Sequence, residues 1–116
     1  MRSVGWALAA AMMAGCGHTE THRVWFQEPP EPPLGRSTGA ELYLGVMPSR
    51  PFVEHGLVQA IGYGEDAREK AVLEALRKEG TRQGCDAVVK VRFAQGLTAA
   101  HAVGVCVRWS PADKPR

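Results

Sequence analysis

The chain has 116 residues, 45% of them hydrophobic, with 14 Lys and Arg against 12 Asp and Glu for a net charge of +2. This allows one modest globular domain, and the lack of any basic run excludes a phosphate-neutralising nucleic-acid surface. Three cysteines without CxxC spacing exclude a disulfide scaffold and a zinc knuckle.

Arg2 places a positive charge ahead of "VGWALAAAMMAG", Val4 to Gly15, which carries none. That run is shorter than the ~20 residues a ~30 Å hydrocarbon core requires. It also has no polar face with which to lie on a protein surface, so it reads as a secretory signal. Its end, Met13-Ala14-Gly15-Cys16, resembles the lipobox of bacterial lipoproteins, with Met13 where that family most often has Leu. The resemblance implies removal of residues 1–15, cleavage between Gly15 and Cys16, and a diacylglycerol and an N-acyl chain on Cys16. No other cofactor is expected. One acyl chain binds a bilayer marginally, whereas two or three, at ~0.8 kcal/mol per buried CH₂, hold it durably. Gly17 follows the cysteine in place of Asp, which by the same resemblance favours the periplasmic face of the outer membrane over the inner membrane.

Residues 16–38 are expected to form a tether. Pro29, Pro30, Pro32 and Pro33 fix φ and remove donors, which favours polyproline II. About 20 residues at ~3.1 Å each would reach on the order of 60 Å. Val24, Trp25 and Phe26 interrupt this polar stretch and are expected to dock on the domain. In "HTETH", His18 and His22 have the spacing of helical metal ligands, but nothing promises a helix and no third ligand is near; they read as solvated.

The domain is expected over residues 39–110. "ELYLGVM" alternates Leu42, Leu44 and Val46 with Glu41, Tyr43 and Gly45, a half-buried strand that Pro48 ends. "GLVQAIGYG" reads as a second strand. "DAREKAVLEALRKEGTRQG" reads as a helix with Asp66 as N-cap, Glu69 closing a capping box, Gly84 at C′, and a stripe of Val72, Ala75 and Leu76 extended by Ala67 and Ala71. Gly80 inside it costs about 1 kcal/mol against Ala, which suits a helix crossing the sheet closely there. "DAVVKVRF" and "HAVGVCVRW" alternate as two further strands around a turn in "AQGLTAA". The expectation is an α+β fold, one helix on a four-stranded mixed sheet in the order β-β-α-β-β, with the strands flanking the helix parallel. Residues 111–116 are expected to be a disordered tail.

With Cys16 lipidated, Cys85 and Cys106 remain. A two-residue turn at Gln95 and Gly96 sets the two cysteines opposite each other but mismatches the valine faces. Shifting by one residue restores the valines and separates the cysteines. A bulge near Gly104 would reconcile both. A disulfide and two separate small hydrophobes both stand.

"RPFVEHGLVQA", a helix, "GCDAVVKVRF" and "AHAVGVCVRW" together resemble the RcsF-like and YbjQ-like families of small bacterial β-β-α-β-β modules, over roughly residues 41–109. The resemblance implies fold more than function. RcsF-like members also carry a lipobox, a proline-rich tether and a cysteine on the last strand, as at Cys106, but have four domain cysteines in two bridges. This chain has two.

No residue set here reads as catalytic. Glu54 and His55 point to opposite faces of an extended segment, and His101 lies at a hairpin end. Glu65 and Asp66 occupy the positive end of the helix, where a phosphate would otherwise sit. The expected role is a non-enzymatic, membrane-anchored binding or envelope-sensing module with an envelope protein partner, contacted by strand addition at "ELYLGVM". The alternative is a structural component assembled by self-association.

Overall fold

A computed structural model describes residues 17–26 and 39–110. Five strands, β1 (His18–Trp25), β2 (Glu41–Leu42), β3 (Phe52–Tyr63), β4 (Ala87–Gln95) and β5 (Ala99–Trp109), and one helix, α1 (Glu69–Arg82), make an α+β fold. The sheet runs β1-β3-β5-β4-β2. β3 and β4, which flank the helix, are parallel as expected. They are not neighbours: β5 lies between them, antiparallel to both.

Two corrections follow for the expected four-stranded sheet. Residues 18–25 are a strand, antiparallel to β3 from His18 opposite Tyr63 to Trp25 opposite Gly56, and not part of an extended tether. Their Thr, Val and Trp side chains suit a pleated surface, and pairing satisfies backbone groups that a free tether would leave to water. Trp25 packs against the core as expected, while Val24 and Phe26 are exposed. The second correction is to "ELYLGVM", of which only Glu41 and Leu42 form a ladder, parallel to β4. After Tyr43, which still bonds to Val88 and Val91, the chain leaves the edge, and Leu44, Val46 and Met47 are exposed. Residues 1–16, 27–38 and 111–116, with Gly15, Cys16, the four prolines and the tail, lie outside the described residues.

α1 covers one face. Val72 and Leu76 are fully buried against Val58, Ala60, Val88, Ala102 and Cys106, each burial contributing about 1.5–3 kcal/mol. The helix starts later than its sequence suggests. Gly64–Asp66 form a 3-10 turn, and the extended Arg68 occupies the N-cap without a side-chain hydrogen bond, so the Asp66–Glu69 capping box does not form. The turn brings Ala67 back against the core, its amide donating to the Gly64 carbonyl at 3.1 Å. At the other end Gly84 takes φ +86° as C′, a conformation natural to glycine.

Gly80 lies where the helix crosses β4. A Cβ there would stand 2.8 Å from Val88 Cγ2. Gly80→Ala is therefore expected to lose about 1–2 kcal/mol in urea unfolding, the overpacking outweighing the ~1 kcal/mol that alanine adds to an exposed helix.

A bulge reconciles the strand faces. Val89 pairs with Val105 but Arg92 with Val103, so β4 carries one extra residue opposite Gly104, and Lys90 sits there at φ +56°. Before the bulge Val88 and Cys106 share the helix side; after it Phe93 and Ala102 do. The turn is longer than expected, with Gln95 opposite Ala100. Cys85 precedes β4 and descends from the helix end, its amide donating to the Gly80 carbonyl at 2.9 Å. It meets Cys106 from above the sheet, not across a ladder. The two form a fully buried disulfide with Cα atoms 5.5 Å apart.

Candidate interaction surface

The second face of the sheet carries no helix. Ala87 and Val89 of β4 and Val105 and Val107 of β5 point that way because strand residues alternate. They are nevertheless buried, beneath Tyr43, Phe52 and Trp109. Tyr43 meets the Trp109 ring edge-on at 6.5 Å, and the Arg50 guanidinium lies 4.5 Å above that ring. The Tyr43 hydroxyl donates to Glu41 Oε1 at 2.7 Å, and this bond, with some desolvation, raises its pKa above the usual tyrosine value. Two backbone bonds hold Tyr43 in place: its amide donates to the Val88 carbonyl, and its carbonyl accepts from the Val91 amide at the bulge.

Towards β1 this cover ends. Val24 (62% exposed) and Leu57 (37%) flank Val103, with His22 and Gln59, in a shallow groove of about 170 Å³. A second groove, of about 390 Å³, runs between Gly45–Met47 and Lys90–Arg92. Beyond the first groove β1 is the outermost strand, so its outer backbone edge faces away from the sheet.

The residues singled out in the sequence fall apart spatially. His18 and His22 share a strand face with Glu20, 3.6 and 3.7 Å from its carboxylate. His18 stacks on Tyr63 at 4.7 Å. His55 is the extra residue of a bulge in β3, between Glu54 and Gly56, and its carbonyl accepts from the Phe26 amide. His101 is exposed on β5, opposite Ala94 and Ile61. Among the described residues no group of three or more His, Cys, Asp or Glu is placed to hold a metal. No helix among them is long and apolar enough to cross a membrane.

One group was not visible in the sequence. Glu79 on α1 is 3% exposed, and its carboxylate accepts from Thr21 Oγ1 at 3.1 Å, Arg82 Nε at 3.1 Å and Gln83 Nε2 at 2.8 Å. Burial pushes its pKa up, but the bonds from Arg82, Gln83 and Thr21 outweigh it and hold the pKa below the usual carboxylate value. Glu79 thereby joins α1 to β1.

Compared with protein-family models, with curated proteins and with solved structures, the chain finds no match. The function rests on the residues themselves.

Proposed function

We propose that the protein is a lipid-anchored envelope module whose small α+β domain binds a partner and carries out no catalysis. The carrying observation is the cysteine arithmetic. Cys85 and Cys106 are joined and buried, a state that persists in an oxidising compartment. The third cysteine is then odd in number, and it stands in the lipobox-like Met13–Cys16, where acylation would consume it. The domain offers two surfaces for a partner, the Val24–Leu57–Val103 groove and the outer edge of β1. That edge is long enough for strand addition, whereas β2, with two residues, is not.

Mass spectrometry of the protein from a bacterial membrane fraction tests the anchor. An N-terminal, acylated Cys16 is expected; a retained signal or a free Cys16 thiol overturns the reading. Size-exclusion chromatography with light scattering then separates the two roles. A monomer supports partner binding, and a closed ring supports the rival structural role by self-association.

A further inference from the structure

Resting on the anchor just proposed, we infer that the end of the sheet around Leu97 is a bilayer-contact surface, with the Leu97 side chain inserted among the lipids of the membrane that holds Cys16. The argument begins with length. Only Gly17 separates Cys16 from β1, and consecutive Cα atoms are about 3.8 Å apart. An acylated Cys16 therefore leaves no slack, and whatever surrounds Gly17 lies at the bilayer.

The surroundings are well defined. Gly17 is pressed against the turn after β3, where a Cβ on it would come within 2.7 Å of Glu65 N and 2.8 Å of Tyr63 O. The Gly64 amide in turn reaches the Thr98 carbonyl at 3.4 Å, which ties that turn to the tip of the β4–β5 hairpin. Gly17, residues 64–66 and residues 96–98 thus form one end of the sheet. At the tip stands Leu97, fully exposed at 104%, the largest exposure of any large hydrophobic residue described. A leucine on a hairpin tip gains nothing for the fold and would gain transfer energy in an acyl layer. At this end Glu65, Asp66 and Glu69 outnumber Arg68 and Lys70, which leaves no net attraction for anionic headgroups, so contact is by apolar insertion and is insensitive to salt. The opposite end of the sheet, with Phe52, Trp109 and the Ser49–Pro51 segment, stands about 36 Å away along β3 and faces the aqueous side.

The test uses the full chain, exported, processed and reconstituted into phosphatidylcholine vesicles. Leu97→Cys and, separately, Ser49→Cys each give one free thiol for an environment-sensitive fluorophore, because Cys85 and Cys106 are bonded. Both sites are exposed, so neither change threatens the fold. The expected result is a blue shift at position 97, with about twofold quenching by lipids spin-labelled along the acyl chain, unchanged at high salt, and no quenching at position 49. Vesicles that float with bound protein but quench neither label overturn the bilayer contact and leave the anchor standing. Protein that fails to float with the vesicles overturns the anchor and this inference with it.

Discussion

Replacing both Cys85 and Cys106 with alanine is expected to lower the thermal midpoint by about 15 °C, through a loss of ~3 kcal/mol. The bridge closes a loop of sequence separation 21, and constraining such a loop in the unfolded chain accounts for most of that figure. Both sulfurs are buried under the helix end, so alanine also opens a small cavity there, which adds to the loss. Thermal or urea unfolding of the wild type with and without a strong reductant should give nearly the same difference. A double variant as stable as the oxidised wild type would show that the bridge constrains nothing.

The second large effect is at Glu79. Glu79→Ala is expected to destabilise the fold by about 2–3 kcal/mol, because a buried carboxylate with several donors is lost. The loss should fall first on β1, which Glu79 holds through Thr21; hydrogen exchange should show faster exchange from Thr19 to Trp25 than in β5. The pH dependence has a definite sign. The folded pKa is below the unfolded one, so the stabilisation is full above the ordinary carboxylate range and is lost as pH falls through the folded value. Urea midpoints of wild type and Glu79→Gln should therefore converge in acid and separate towards neutrality. A constant gap across pH would place the effect in packing instead of charge.

Sequence reasoning succeeded where a local rule decides the outcome. The alternation of β4 and β5, the C′ role of Gly84 and the close crossing at Gly80 follow from side-chain period and backbone sterics within a few residues. β1 was hidden because "HTETHRVW" carries charge on both faces, as suits an edge strand, and because its partner β3 lies some forty residues on. Glu79 was hidden for the same reason: "RKEGTR" reads as a solvated helix face until β1 is laid across it. Asp66 has the right residue type and spacing for a cap, but the chain needs it in the 3-10 turn that returns Ala67 to the core. Cys85 and Cys106 could not be settled by counting ladder pairs, since their bond runs from the helix end to the sheet. The Val24–Leu57–Val103 groove depends on β1, so its Val24 wall was hidden while the strands carrying Leu57 and Val103 were legible.

The antiparallel pairing of β1 with β3, and of β3 with β5, also fixes how the domain bears load. The described chain enters at Gly17, beside Tyr63, and leaves at Ser110, beside Phe52 and Trp109, at the other end of the same sheet. Tension between those two points slides β1 along β3 and β3 along β5. Every rung of a loaded ladder is then strained together instead of opening one at a time, so the sheet resists in shear, and mechanical failure requires one whole ladder, β1–β3 or β3–β5, to yield nearly at once.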